Sequence, residues 1–196
     1  MTEQTKVTTL EKVVVRFSGD SGDGMQLTGT IFSNLSAVFG NEISTFPDYP
    51  AEVRAPQGTL SGVSGFQVHL GSKKIFTPGE KADVLVAMNP AALKVNVTHI
   101  KPNAIVLIDT DSFQKSDLEK ALYTTDDPFK ELGLTQVQIV AAPISTMVRD
   151  GLVDFGLDNK SALRCKNMFA LGLVCWLFER PLDEATVSYT HLTLPT

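Results

Sequence analysis

Asp83-Val84-Leu85-Val86-Ala87-Met88 and Ala104-Ile105-Val106-Leu107-Ile108 are short, almost wholly apolar runs, the pattern of strands covered on both faces. Each is followed by helix-compatible sequence, Pro90 to Val95 and then Gln114 to Leu122. Val137 to Ala141 reads as one more strand, and Pro143 sits where a further helix would start. Upstream, the β-branched Val13-Val14-Val15-Arg16-Phe17 runs into a Gly/Asp/Ser cluster, a strand ending in a tight turn. From Met25 the apolar Leu27, Ile31, Phe32, Leu35, Val38 and Phe39 recur at helical spacing until Gly40. Buried strands alternating with helices predict an α/β fold, a mainly parallel, doubly wound, Rossmann-like sheet.

Other stretches qualify that plan. Phe46 to Gly58 holds Pro47, Pro50 and Pro56 and is expected to be irregular. Phe66, Val68 and Leu70 alternate with Gly65, Gln67 and His69, a half-buried strand that should pair with Lys74-Ile75-Phe76 as an inserted β-hairpin. Leu163 to Phe178 is expected to be the longest helix, and its apolar run Met168 to Phe178 reads as buried. As a helix that run spans about 16 Å at ~1.5 Å per residue, against the roughly 30 Å of a bilayer core.

Composition excludes several classes. The 196 residues are 43% hydrophobic, 20% charged and 8% aromatic, which suits one folded domain rather than disorder or coiled coil. Seventeen basic against 22 acidic residues leave a formal charge of -5, which argues against nucleic-acid binding. Cys165 and Cys175 cannot supply a disulfide framework or a four-thiolate cluster, and their apolar surroundings make them core thiols. The polar opening MTEQTKVTTLEK, expected to be flexible over residues 1–11, has no leader character, so a cytoplasmic address is expected with no membrane partner. Pro181 with Asp183 and Glu184 reads as the start of a linker helix over 181–186. The uncharged VSYTHLTLPT over 187–196 resembles a translated adapter read-through, so the natural chain is expected to continue past about Thr186.

Gly19-Asp20-Ser21-Gly22-Asp23-Gly24 lies between the first strand and the first helix, where α/β sheets place ligands. Its spacing reverses the dinucleotide fingerprint, and no P-loop Lys follows. Asp20 and Asp23 oppose a diphosphate as well: like charges ~4 Å apart repel by about 4 kcal/mol at an effective ε of ~20. A helix N-terminus offsets only ~0.3–2 kcal/mol of that. Two readings stand, a turn whose carboxylates cap the helix, and a contact for an anion or a partner. Gly-Asp-Gly also opens the magnesium-diphosphate motif of thiamine enzymes, but the Asn it requires is missing from Thr45 to Glu52.

In the loop Tyr49 to Gly58, Glu52 and Arg54 stand two apart and would share a side if extended. They either brace each other or face a subunit or a phosphate. Asn89 ends a buried strand at its carboxyl edge, as a helix cap or a site residue. His69 and His99 have no catalytic partner at suitable spacing, and no catalytic or metal residue is assigned.

The ordered motifs VVVRFSGDSGDGMQLTG (Val13–Gly29), FPDYPAEVRAP (Phe46–Pro56), KADVLVAMNPAAL (Lys81–Leu93) and KPNAIVLIDTD (Lys101–Asp111) resemble the gamma domain of 2-oxoacid:ferredoxin oxidoreductases. The resemblance covers about Val13 to Thr186 and is nearest the 2-oxoglutarate type, in which this domain opens the alpha subunit. Asp20, Ser21, Asp23, Ala51 and Ala55-Pro56 depart from the pyruvate-type GxGGQG and YGPEVRGG motifs. The resemblance implies a gamma domain over 12–180 in a cytoplasmic complex that makes acyl-CoA, here succinyl-CoA, and reduces ferredoxin. That complex uses thiamine diphosphate, Mg2+ and an iron–sulfur cluster on other parts, and CoA as co-substrate. The beta subunit is the implied partner, with assembly and CoA access as this domain's share. Gly19, Ser21, Gly22, Gly24, Glu52 and Arg54 are the candidate CoA or interface residues by motif. Outside the resemblance, a stand-alone nucleotide-binding enzyme and a non-catalytic interaction domain remain as alternatives.

Overall fold

The computed structural model describes residues 10–183. The expectations for the first nine residues, for residues 184–186 of the linker helix and for the uncharged tail lie outside them. Lys12–Asp20 forms the central strand β1. Its alternation serves two faces: Val13, Val15 and Phe17 enter one core, Val14 the other. A turn leads into α1, Met25–Val38, which Gly40 ends in the left-handed conformation at φ 79°. Then come β2 (Glu42–Asp48), β3 (Val63–Gly71) and β4 (Ala82–Ala87). They are followed by α2 (Pro90–Asn96), β5 (Ile100–Asp109), α3 (Lys115–Lys120) and α4 (Pro128–Glu131). Last are β6 (Gln138–Ala142), α5 (Ile144–Gly151), α6 (Asn159–Leu163) and α7 (Lys166–Leu177).

The six strands lie in the order β2-β3-β1-β4-β5-β6. The β1/β4, β4/β5 and β5/β6 pairs are parallel, and β3 runs antiparallel to both β1 and β2. Helices α1, α5 and α7 cover one face, around Phe17, Ile31, Phe32, Leu35, Ile144, Leu171 and Val174. Helix α2 covers the other, around Leu85, Leu93 and Val106. The mainly parallel, two-sided α/β sheet expected from the buried runs is therefore present, and four parallel strands end at one edge.

Four local expectations are corrected. Glu42–Asp48 is a strand despite Pro47, because β2 is the sheet edge, where a missing N–H is tolerated. The antiparallel partners of β3 are thus β1 and β2, and Lys74-Ile75-Phe76 is not a strand. Instead residues 77–79 fold back over β3: Gln67 Nε2 donates to the carbonyls of Pro78 (2.8 Å) and Gly79 (2.7 Å), and His69 Nδ1 lies 2.7 Å from that of Thr77. That cover leaves Gln67 buried, so β3 is closed on both faces rather than half-buried. Finally, the helix predicted over Leu163–Phe178 breaks at Arg164-Cys165 into α6 and α7, and the 14-residue α1 is the longest.

Helix α7 is also less enclosed than its composition implies: Trp176 is exposed, and Met168, Phe169, Leu173 and Leu177 are only partly covered. Cys175 is a core thiol, pushed up to about 11 by burial, whereas Cys165 is half-buried. Among the described residues no helix is long and apolar enough to cross a membrane.

Candidate functional site at the carboxyl edge of the sheet

Connections from β1 and β4 depart to opposite sides, so the strand order reverses between them. Side chains cannot fill the space above such a point, and ligands gather there. A cleft of about 320 Å3 opens at this place. Asp20, Asp23 and Asn89 line it from the β1 and β4 ends, Asp111, Ser112 and Ser145 from the β5 and β6 ends, and Lys120 and Lys166 from helices. Gln57 and Gly58 close it on the loop side.

The glycine turn is held by its own carboxylates. Asp23 Oδ2 accepts from the Asp20 N–H at 2.9 Å, and Asp20 Oδ2 accepts from the Gly58 N–H at 2.9 Å. The expected capping of α1 by these aspartates does not occur: its N-cap is Gly24, with no side-chain cap and no acid in the first turn. The geometric reason is that Asp20 lies too far upstream of α1, while Asp23 turns back onto the Asp20 amide. Asp20 thereby joins the turn to the proline-rich loop across 38 residues.

Both carboxyls titrate above the ordinary aspartate range. Burial is the first cause for each, followed at Asp20 by the charge of Asp23. Lys166 offsets part of the rise at Asp23. A raised folded-state value means the proton is held more tightly in the fold than in the unfolded chain. The pair therefore favours folding below the ordinary carboxylate pKa, and that contribution is lost as pH rises through the raised values. Asp23→Asn keeps an oxygen acceptor for the Asp20 amide and removes the charge. It is expected to melt above the unsubstituted protein at pH 7, with the advantage closing toward pH 3. Thermal melts across that range check it, and a lower melting point at pH 7 would count against a buried, unfavourable charge.

Each predicted site residue can be placed. Gly19 is the last but one residue of β1, and a Cβ there would sit 2.7 Å from Asp23 Oδ2. Ser21 Oγ donates to the Val53 carbonyl (3.1 Å), and its amide donates to that of Gly62 (3.1 Å), so it pins the loop rather than lining the cleft. Gly24 is left-handed at φ 73°, and a Cβ would strike the Asn167 side-chain amide. Gly22 has open space around its Cα. Gly24→Ala is therefore expected to cost at least about 1–2 kcal/mol, the penalty of an L-residue in that region. Gly22→Ala should stay within about 0.5 kcal/mol. Urea unfolding of the two variants checks the contrast.

Glu52 and Arg54 are exposed and outside the cleft lining, and neither joins an ion pair among the described residues. The bracing pair does not form, because the Ala55 N–H donates to the Glu52 carbonyl (3.2 Å) and closes a turn instead of an extended segment. Asn89 does cap α2, its Oδ1 accepting from the Ala92 N–H at 2.8 Å, and it faces Asp20 as well.

Sequence reading missed the carboxylate that holds the cleft's two serines, Ser112 and Ser145. Asp109 is fully buried, accepts from Ser145 Oγ (2.7 Å) and Ser112 Oγ (2.9 Å), and has Lys166 Nζ at 3.9 Å. It also receives the Ser145 N–H at 3.2 Å, while Asp111 receives that of Thr146 at 2.7 Å. The N-terminus of α5 is thus covered by Asp109 at the end of β5 and by Asp111 just after it, and is closed to an added anion. The rule that singled out Asn89, a polar residue ending a buried strand, applies equally to Asp109. Lys166 and Asn167 gave no local signal.

The chemistry available is binding. With Asp20, Asp23, Asp111 and Asp117 against Lys120 and Lys166, the lining disfavours a diphosphate and suits a neutral ligand segment that exchanges hydrogen bonds with Asn89, Gln57, Ser112 and Ser145. Among the described residues no group of three His, Cys, Asp or Glu side chains is arranged to hold a metal ion.

A two-sided α/β sheet with a polar cleft at its switch point defines a Rossmann-like binding domain. A family model described as pyruvate ferredoxin/flavodoxin oxidoreductase matches residues 14–190, and the chain belongs to that family. It is 46% identical over 176 residues to the 2-oxoglutarate oxidoreductase subunit KorA of Mycobacterium tuberculosis, a match covering 90% of this chain and 27% of that protein. The chain thus spans about a quarter of that relative's length. Among solved structures it resembles the 2-oxoglutarate:ferredoxin oxidoreductase of Magnetococcus marinus with 2-oxoglutarate, coenzyme A and succinyl-CoA bound, at TM-score 0.67 and 24% identity, over 90% of this chain and 26% of that one. The gamma subunit of a keto/oxoacid ferredoxin oxidoreductase from Geobacter sulfurreducens aligns at TM-score 0.60 and 20% identity, over 93% of this chain and 87% of that one. At these identities the two structures establish the fold.

Proposed function

We propose that residues 12–180 are the gamma-type domain of the alpha subunit of a cytoplasmic 2-oxoglutarate:ferredoxin oxidoreductase. The 46% identity to a subunit with that substrate carries the reading. The reaction takes 2-oxoglutarate, CoA and two oxidised ferredoxins to succinyl-CoA, carbon dioxide, a proton and two reduced ferredoxins. Thiamine diphosphate with Mg2+ on the beta subunit would supply the electron sink for decarboxylation, and an iron–sulfur cluster the one-electron path. The glycine turn of this chain does not fit the thiamine diphosphate: its aspartates are engaged by the Asp20 and Gly58 amides, and the Asn that the motif requires downstream is missing from Thr45 to Glu52.

This domain's share is to bind and orient rather than to react. Amide-bearing, uncharged stretches of CoA suit the acidic cleft, whereas its phosphates suit the solvent side, where Arg54 is exposed. The Asp20–Gly58 bond fixes the distance between turn and loop and thus the width of that passage.

The test is ferredoxin reduction by the full-length alpha subunit co-expressed with its beta partner. Reduction with 2-oxoglutarate that requires CoA and exceeds that with pyruvate supports the reading. A preference for pyruvate would overturn the substrate, and turnover without CoA the role in CoA access. Saturable nucleotide binding without the beta partner would favour the stand-alone enzyme.

A further inference from the structure

Helix α7 is apolar on the side that faces away from its own core. From Asn167 to Phe178 no side chain is charged. Asn167, Ala170, Leu171, Val174 and Cys175 form the buried stripe. Phe169, Gly172, Leu173 and Trp176 recur at the same three- and four-residue spacing and make a second stripe opposite to it. A surface helix ordinarily carries polar residues on that side, and a helix that is apolar all round is enclosed. Here Phe169 and Leu173 are only half-buried, and Trp176, the single tryptophan of the chain, is 76% exposed.

Gly172 is a second and independent sign. Glycine in a helix interior costs stability, and nothing in this domain requires it. The residue lies within α7, outside the left-handed region, and a Cβ there would meet nothing within 4 Å. Gly24 and Gly29 differ, since a Cβ at either would strike Asn167 or Phe66. Bare backbone between Phe169 and Trp176 is a notch that admits a close approach from outside the domain.

The occupant follows from how the chain leaves the helix. Glu179 takes the left-handed conformation at φ 50°, and the Arg180 N–H returns to the Cys175 carbonyl at 2.7 Å, which ends α7. Arg180 is then held against the end of α1, donating to Asn41 Oδ1 at 2.7 Å with its guanidinium over the Phe39 ring. The chain therefore sets out from a fixed point close to Trp176. Under the proposed function it continues there into the rest of an alpha subunit, and the match to KorA covers 27% of that protein, which leaves about three quarters of it beyond this domain. A surface tethered so closely competes at an effective concentration of roughly millimolar, which a separate subunit or a second copy lacks. A lipid surface is disfavoured too, because a helix lying on a membrane carries Lys and Arg along its polar side, and α7 has none between Lys166 and Arg180.

We propose that the Phe169–Trp176 face of α7 seats the domain that follows this one in the same polypeptide, through apolar side chains of that domain packed over the Gly172 notch. The contact rests on the reading of this chain as the opening domain of an alpha subunit.

The experiment uses the full-length alpha subunit, expressed through its natural stop codon with its beta partner. p-Benzoylphenylalanine in place of Trp176 is irradiated, and the cross-linked peptides are mapped by mass spectrometry. Cross-links to residues of the same polypeptide beyond 186 are expected, with no mixed products when isotope-labelled and unlabelled copies are combined. Gly172→Gln fills the notch and spares the domain itself, because the space around Gly172 is open and Gln is the better helix former. It is expected to accelerate proteolytic cleavage between the two domains about tenfold, with cleavage within residues 12–180 unchanged.

Cross-links to the beta subunit, mixed-isotope cross-links between copies, or none at all overturn the proposal. A Gly172→Gln protein cleaved no faster than the unsubstituted one overturns it as well. Binding to phosphatidylcholine–phosphatidylglycerol vesicles that Gly172→Gln abolishes would assign the face to a membrane instead. A gene that ends without a further domain would overturn the contact and the proposed function together. An enzyme that reduces ferredoxin with 2-oxoglutarate but fails the cross-linking test would overturn the contact alone.

Discussion

Arg16→Ala is expected to destabilise the fold by about 3–5 kcal/mol, the cost of breaking a buried ionic network from one side. Arg16 sits in the middle of β1 and is 4% exposed. Its guanidinium is shared three ways: Nε donates to Asn96 Oδ1, Nη1 to Gln67 Oε1 at 3.3 Å, and Nη2 to Asp48. Asp48 is half-exposed and can return to water, but Asn96 and Gln67 cannot. The alanine variant thus leaves two buried acceptors without their donor and a cavity the length of the side chain. Urea unfolding measures the loss, and a change below about 1 kcal/mol would mean that the network contributes little beyond its own desolvation. Arg16→Met combined with Asp48→Ala fills the cavity and removes both charges, so it is expected to recover part of the loss. Arg16 also holds the strand from which the outer loop departs. Protease cleavage within Tyr49–Gly58 should therefore accelerate in the alanine variant before global unfolding does.

Arg16 also marks where sequence reading reached and where it stopped. The parallel strands were legible because DVLVAM and AIVLI are apolar without alternation, which a strand covered on both sides requires. β3 misled for the complementary reason. Gln67 and His69 read as a solvent face, yet they are covered by carbonyls of residues 77–79 and, at Gln67, by Arg16. A polar residue buried by partners from another segment looks the same in sequence as one in water. β2 was hidden by Pro47, which excludes a central strand but not an edge strand, and edge position is a tertiary property.

The same division holds at the cleft. The glycine turn announced itself, since a strand, a glycine cluster and a helix are contiguous in the chain. Its aspartates did not announce their partners: Gly58 is 38 residues from Asp20, and Ser145 is 36 from Asp109. These meet only because the order of the parallel strands places four carboxyl ends side by side. Glu52 and Arg54 were legible as an exposed pair, but the turn that separates them from each other was not.

Phe32→Ala is expected to cost about 3–5 kcal/mol, as is usual for deleting a buried ring, and its consequence for the cleft exceeds its distance from it. Phe32 lies on α1, fully buried, with its ring centroid 5.6 Å from that of Phe17 on β1 in an edge-on contact and 6.1 Å from that of Phe178 just after α7. The three rings bind α1, the sheet and the end of α7 into one unit. Helix α7 has much of its surface uncovered, and beyond the rings its end is tied to the end of α1 chiefly by Arg180, which donates to Asn41 Oδ1 at 2.7 Å and lies over the Phe39 ring. At its opposite end it presents Lys166 to Asp109 and Asn167 to Gly24. Loosening the far end should therefore tilt or fray the near one, and Asp23 would lose the cation that offsets its burial. The expected signature is twofold: a lower urea midpoint with an unchanged slope, and faster amide hydrogen exchange along α7 than along α1. Phe32→Leu keeps most of the buried volume and should lose clearly less. Equal acceleration of exchange in every element would show instead that the rings stabilise the domain only as a whole, and that α7 is anchored from its Lys166 end.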